Sequence, residues 1–383
     1  MRRTSIGLAA LVLCGTPLVA MQAAGNLQDA IGKLGSLDYE VRTDAARTVR
    51  RVPAPEAIQG LAQAAQGHAD GYVRYRASIL LAGFSDAAAA PLMRAVLTDS
   101  NDRLRQVAYN FYEHNPARDV LPLLLGALDR EESEFVRPAL IRALAAQGGD
   151  PRVRETLLVE VDRGVDFFRS AVIEALGDVK ADYAVSSLLR IAQLDGPLQD
   201  DAVLALGKIG NRRALESLVG LQRQASRITQ PAIAAAICLH GVNCDAHLQY
   251  LEDTLRFGID NSGFQDLLRA ASAALGALAL TGNSRSLATL FAIGIPARDP
   301  ARAPIALAVG LVALRNTEQL LDALASEPDV DAALLLVRDA FDMLNEDFEE
   351  ERFFVAVRRA FWESPESSAR RAIAERLVQT LEF

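Results

Sequence analysis

One spacing constrains this chain more than any other feature. Nonapeptides of one pattern recur along it: VRTDAARTV from Val41, VRYRASILL from Val73, LRQVAYNFY from Leu104, VRPALIRAL from Val136, FRSAVIEAL from Phe168 and LQDDAVLAL from Leu198. Their second residues are Arg42, Arg74, Arg105, Arg137, Arg169 and Gln199, so successive steps are 32, 31, 32, 32 and 30 residues. A fixed period in the range of about 20–50 residues means that one supersecondary unit is copied and stacked, and every other reading must fit inside that repeat.

The columns of the repeat carry its physics. The residue before the arginine is Val41, Val73, Leu104, Val136, Phe168 or Leu198. Three after it stands Ala45, Ala77, Ala108, Leu140, Val172 or Ala202, and seven after it Val49, Leu81, Tyr112, Leu144, Leu176 or Leu206. These offsets share one face of an α-helix. Small residues in the middle column let neighbouring helices approach closely. Short turns follow, such as GD at Gly177 and GKIGN at Gly207, where glycine is expected to end a helix in the left-handed conformation. A second amphipathic stretch completes each unit, as in DVLPLLLGALD from Asp119, AVSSLLRIAQLD from Ala184 and ALESLVGLQRQ from Ala214. The few aromatic residues, 6% of the chain, also favour helix over strand. One helix–turn–helix pair cannot bury its apolar face alone, whereas a stack of pairs can.

With its V-R-x-x-A opening and L-G turn, the unit resembles the HEAT repeat in its short bacterial, phycobilisome-lyase-like form. The resemblance is strong from Asp38 to about Gln224. It continues more weakly through ITQPAIAAAICL from Ile228 and through openings at Leu267, Ala301 and Ala369, with R-x-x-I at Arg302 and Arg370. It implies an all-α protein, an α-solenoid of stacked helix–turn–helix (HEAT-like) repeats with a period of about 31 residues, regular over 38–224 and more divergent over 225–383. About ten units are expected, with atypical end units acting as caps. In the family the aligned arginine is a structural position between repeats. Arg42, Arg74, Arg105, Arg137 and Arg169 are therefore expected to form a structural ladder, paired with acids of the preceding turns such as Asp38, Asp70, Asp102 and Asp166. The rival reading is an anion-binding ladder.

The first residues, MRRTSIGLAALVLCGTPLVAMQAAGN, have an arginine n-region, a short apolar run, a proline and small residues. That is the layout of a secretory signal peptide, assigned to residues 1–25, and it places the remainder, 26–383, in the periplasm or outside the cell. Its apolar run is shorter than the roughly 20 residues a bilayer span needs. Removing it takes away Arg2 and Arg3 and no acid, which moves the formal net charge from −9 to −11. So acidic a chain, without a basic stripe, is a poor partner for nucleic acid or anionic membranes. No later apolar segment is long enough to span a membrane.

Removal of Cys14 leaves Cys238 and Cys244 within CLHGVNCDAH. In the repeat alignment Cys238 closes a first helix, His240 to Asn243 form a turn suited to Gly241, and Asn243 or Asp245 can cap the next helix. The two cysteines flank one tight turn in a compartment that permits disulfides, so a structural disulfide is expected. Closing so short a loop contributes about 2.4 kcal/mol by chain entropy. Free thiols or a metal remain as alternatives, although C-x-H-x3-C-x2-H lacks the paired ligand spacing of zinc sites.

Some proteins with this repeat, such as deoxyhypusine hydroxylase, hold a di-iron site on His-Glu dipeptides; this chain has none, and its His68 and His114 are isolated in sequence. Nothing marks a chromophore pocket of the bilin-lyase kind, and neither a G-x-S-x-G elbow nor a glycine-rich phosphate loop occurs. One departure from the repeat, NEDFEEERFF from Asn345, sets five acids among phenylalanines. It is expected to be a solvated acidic loop leading into a helix, or else a contact for a basic partner. The expected function is a non-enzymatic scaffold for protein–protein contact with no cofactor and unidentified protein partners. The alternative is a solenoid enzyme or cofactor carrier of the hydroxylase or bilin-lyase type, and a purely structural envelope component is a third possibility.

Overall fold

A computed structural model describes residues 26–383 apart from Asn345, and every regular element among the described residues is a helix. The signal-peptide reading of residues 1–25 lies outside the described residues. The helices form two rows. The inner row runs Tyr39–Arg50, Gly71–Phe84, Asp102–His114, Arg137–Ala145, Asp166–Asp178, Gln199–Ile209, Gln230–Leu239, Gln265–Leu280, Arg302–Arg315 and Val330–Met343. The outer row begins with a helix over 26–33 and continues through Ala54–Gly67, Asp86–Val96, Leu121–Leu128, Pro151–Glu160, Val185–Ala192, Arg212–Gln222, Cys244–Asp260, Ser284–Gly294 and Thr317–Ser326. From Gly71–Phe84 onward each inner helix packs along the next, while successive outer helices touch little or not at all. A stack that is tight on one row and splayed on the other curves toward the tight row. The fold is an all-α solenoid.

The sequence columns explain the tight row. Every residue at −1, +3 and +7 of the six aligned units is buried except Val41, which is 39% exposed on the first unit. The arginine at the head of each inner helix does something other than pair with the preceding acids. Its side chain reaches back to carbonyls at the end of the preceding outer helix. Arg42 donates to Ser36 O at 2.8 Å, Arg74 to His68 O at 2.9 Å, Arg105 to Asp99 O at 2.8 Å and Arg169 to Val161 O at 3.1 Å. Gln199 and Gln230 do the same with amide groups, to Ala192 O at 3.0 Å and Gln222 O at 2.8 Å, and Arg302 extends the pattern to Gly294 O at 2.8 Å. A helix leaves its last carbonyls unpaired with a partial negative charge, and a guanidinium satisfies both needs. Arg137 departs from the pattern: it lies 4.4 Å from the centroid of Phe168 and reaches Glu160 at 3.5 Å.

The acids expected to meet these arginines are used differently. Asp38 and Asp70 accept from the amides of Glu40 and Tyr72, capping the N-termini of inner helices. Asp102 accepts from Ser133, and only Asp166 meets its arginine, Arg169, at 3.2 Å on the surface.

The turn GKIGN ends its helix as expected, on the left-handed Gly210 with φ of 74°, whereas GD does not, because Gly177 lies inside Asp166–Asp178; Gly207 too lies inside its helix. A β-carbon on Gly177 would stand 2.8 Å from the Cα of Ala205, and one on Gly207 2.6 Å from the Cα of Ala236. These glycines permit helix-to-helix contact in the inner row.

Two elements at the C-terminus break the order. The helix Ala369–Leu381, expected to open a further repeat, joins the outer row beside Thr317–Ser326, and its Arg370 pairs with Glu318 and Asp322 of that helix. The helix Asp347–Glu363 leaves the stack and crosses the hollow, touching Arg302–Arg315 on one side and Gly71–Phe84 on the other. The curved stack is thereby closed upon itself. Arg315 bonds Glu113, 202 residues away, at 2.6 Å, and Arg47 donates to the carbonyl of Glu382, 335 residues away, at 2.6 Å.

Candidate functional site at the closure of the solenoid

The segment expected to be a solvated acidic loop is helical from Asp347, and the face it turns to the N-terminal units is acidic and aromatic. Phe348 is buried against those units, and so are Glu349 (2% exposed) and Glu351 (3% exposed), whereas Phe353 is buried on the other side, against Phe341 and Phe383. Buried carboxylates need partners. Each finds a base on a different unit of the same chain. Glu351 accepts from Nε of Arg50 at 3.0 Å and from Arg358 at 3.3 Å. Asp347 accepts from the Tyr75 hydroxyl at 2.7 Å and pairs with Arg76 at 3.1 Å. Glu349 meets Nε2 of His114 at 2.8 Å, and the His114 ring lies against Phe348. The basic partner anticipated for this acidic run is the protein's own inner face.

Burial alone would raise the pKa of Glu349, but the His114 bond and the Arg315 charge hold it below the ordinary glutamate range. Glu350 lacks such a partner. Burial, and then the neighbouring Asp347 charge, pushes it up to about 7, and burial likewise raises Glu346. For Tyr75, burial and the Asp347 charge raise the phenol well above its usual value. Desolvation opposes the charge of Arg315, yet Glu113 and Glu349 keep it firmly protonated.

Glu113, His114 and Glu349 each offer a ligand atom within 4.8 Å of the others, a separation a metal ion could bridge. The donor set does not favour one. Both oxygens of Glu113 are engaged, by Arg142 at 2.9 Å and Arg315 at 2.6 Å, and Arg352 stands 3.9 Å from Glu349. A divalent cation would have to displace or sit against guanidinium groups that already neutralise both carboxylates. The cluster is an ion-pair network that ties two parts of the stack to the closing helix.

Two clefts flank that helix. One, of about 420 Å³, lies between Ile79, Gly83 and Phe84 and the opposing Glu351, Val355 and Arg359. The other, of about 380 Å³, is lined by Tyr75, Arg103, Asn110 and Phe135 against Glu346 and Phe348.

Cys238 and Cys244 are joined in a disulfide across one turn, with Cα atoms 4.3 Å apart. Gly241 is left-handed there, as the turn requires, and so is Asn243, which precedes the next helix without a side-chain capping bond. The disulfide does not lie at the closure, and of the ladder only Arg42 borders it, beside Glu350 and Phe354. Glu349 and Glu351 fall in the acidic run that the sequence marks as a departure; Arg50, Glu113 and Arg315 carry no such mark, and His114 is far from isolated. A signal was present. Eight residues after the ladder position the units carry Ala82, Ala145, Gly177, Gly207 and Cys238, all small, but also Arg50 and Glu113. The small column breaks at two of the units that the closing helix engages.

The repeat unit can be placed among known proteins. Residues 27–113 match the family described as HEAT repeats. That match covers the N-terminal inner helices that receive the closing helix, so the segment similar to HEAT repeats supplies Arg50, Arg76, Glu113 and His114 to the closure. Among curated proteins, no sequence matches the chain. Among solved structures, human deoxyhypusine hydroxylase in complex with glycerol is 19% identical over 77% of this chain and 98% of its own, with a TM-score of 0.27. Importin beta is 11% identical over 93% of this chain and 60% of its own, with a TM-score of 0.33, and Kap121p 12% identical over 95% and 49%, with a TM-score of 0.34. At scores this low no property of these proteins transfers to this chain. No helix of the described residues is long and apolar enough to cross a membrane.

Proposed function

We propose that this chain is a non-enzymatic interaction scaffold whose concave face binds helical segments of protein partners, working in the periplasm or outside the cell. The observation that carries this reading is the seating of Asp347–Glu363. The inner face of the N-terminal units accepts an amphipathic helix through the buried Phe348 and buried ion pairs together, which is how helix-in-groove recognition works. The location is supported by the leader-like residues 1–25 and by the Cys238–Cys244 disulfide, a bond characteristic of oxidising compartments.

The test is affinity capture with in-cell cross-linking and mass spectrometry, alongside elemental analysis of the purified protein. Reproducible proteins cross-linked to the inner helices Gly71–Phe84 and Asp102–His114 are expected. Stoichiometric iron or zinc, lost on replacing His114, would overturn the non-enzymatic reading.

A further inference from the structure

The chain carries a formal charge of −9, yet it gathers Arg50, Arg76, His114, Arg142 and Arg315 on the concave side of its first units and at the helix facing them. A basic, aromatic groove in an acidic protein is selective for what it holds: an acidic amphipathic helix fits, and a basic one is repelled. The segment now seated there is poorly matched in three respects. It lies outside the repeat order, entering the groove from Met343 across a short connection. Four acids crowd its start, Glu346 at the N-cap and Asp347, Glu349 and Glu350 in the first turn, and among the described residues Glu346 and Glu350 accept no bond from any base. The clefts of about 420 and 380 Å³ on either side show that the groove is wider than the helix it contains.

We propose that this groove is a docking site for an acidic amphipathic helix of a partner protein, and that Asp347–Glu363 is its resident competitor. The partner would present an aromatic–acid pattern like that of Phe348, Glu349 and Glu351, placing acids against His114 and Arg50 and a ring in the pocket of Phe348. An occupied groove binds an added helix with its intrinsic affinity reduced by the fraction of molecules that are open, so weakening the resident must strengthen the incomer.

This proposal rests on the scaffold reading, and its test is separable from it. The probe is a fluorescent synthetic peptide with the sequence of residues 346–363, titrated into the whole protein. A second peptide keeps only the Phe348, Glu349 and Glu351 positions on an alanine background. Phe348→Ala is the principal variant, because it takes the buried ring from the resident helix and leaves the groove unchanged for the peptide. Glu351→Gln, which weakens the resident's pairing with Arg50, is the second variant.

Wild-type protein should bind both peptides weakly, and each variant at least about tenfold more tightly, since a tenfold change requires only a modest shift of the open fraction. Versions with lysine at the Glu349 and Glu351 positions should lose that gain. Unchanged affinity in folded Phe348→Ala protein overturns the proposal, as does equal binding of the lysine peptides. Dimerisation of the variants without peptide uptake overturns it in favour of exchange of this helix between two copies. If partners cross-link to the inner helices while both peptides fail, the scaffold reading stands and this proposal alone falls.

Discussion

At the scale of single residues, glycines and arginines that look alike in the sequence do different work. Gly207 lies where the inner helices touch, while Gly220, inside the outer helix Arg212–Gln222, would put a β-carbon into open space. Gly220→Ala is therefore expected to raise stability by about 0.5–1 kcal/mol through helix propensity. Gly207→Ala should lower it by about 1–3 kcal/mol, because two backbones must separate. Urea unfolding of the two variants measures both, and two changes of the same sign would refute the close-approach role of Gly207. The ladder arginines are likewise unequal. Arg169 is tied to one carbonyl and an exposed acid, whereas Arg105 also holds the buried Glu131 through bonds of 2.7 and 2.6 Å. Removing Arg105 strands that carboxylate, so Arg105→Met should cost about 3–5 kcal/mol against about 1 for Arg169→Met. Similar losses for the two would mean that carbonyl capping, and not the ion pair, dominates at Arg105.

At the scale of elements, the closing helix makes its own pH dependence. The Glu350 pKa is raised from 4.5 to about 7, so between those values the folded state binds a proton that the unfolded chain has released. Stability then falls as pH rises through that window. Glu350→Gln removes the effect: its melting temperature should exceed that of the wild type at pH 8, and the two should converge near pH 5. Glu349 acts in the opposite sense, because its pKa is lowered and its contribution is lost only as pH falls below the ordinary glutamate range. A Glu350→Gln protein with the wild-type melting profile at every pH would show that this carboxyl is not desolvated. The turn at Cys238–Cys244 is a separate element. Unreduced protein should take up no alkylating agent at these positions, and Cys238→Ala with Cys244→Ala should cost about 2 kcal/mol by loop-closure entropy. Two alkylated thiols would remove the disulfide from this account.

At the scale of the whole molecule, closure changes how a repeat stack should unfold. An open solenoid gains stability unit by unit from nearest neighbours. Here Arg47–Glu382, Arg50–Glu351 and Glu113–Arg315 join units that are remote in sequence. Arg50→Ala leaves Glu351 with Arg358 alone in a buried setting, and a loss of about 3 kcal/mol is expected. The loss should loosen both ends together. Hydrogen exchange should show faster opening at Tyr39–Arg50 and Asp347–Glu363 and leave the central helices Asp166–Asp178 and Gln199–Ile209 unchanged. Changes confined to Tyr39–Arg50 would mean that the closure is not cooperative. By contrast, Phe135, 83% exposed, and Phe167 beside it should tolerate serine with changes within about 0.5 kcal/mol.

The sequence by itself determined the repeat, the helix pairs, their buried columns, the turn that brings Cys238 to Cys244 and the place of each ladder residue. Those properties are local: they follow from helical periodicity, caps and contacts between adjacent units, all encoded within about one period. Even the extension of the ladder to Arg302 could be read in this way. Where the arginines point was decided only in three dimensions, since the carbonyls they reach become available when the preceding helix ends beside them. The role of Gly177 and Gly207 was decided there too, because the backbones they admit belong to the next unit. The closure lay furthest beyond reach. It depends on curvature summed over the whole inner row, and a small spacing error per unit moves the far end of a solenoid by many ångströms. Only the folded chain brings His114 to Glu349 and Arg50 to Glu351, and it turns an acidic run that reads as solvated surface into the helix that fills the hollow.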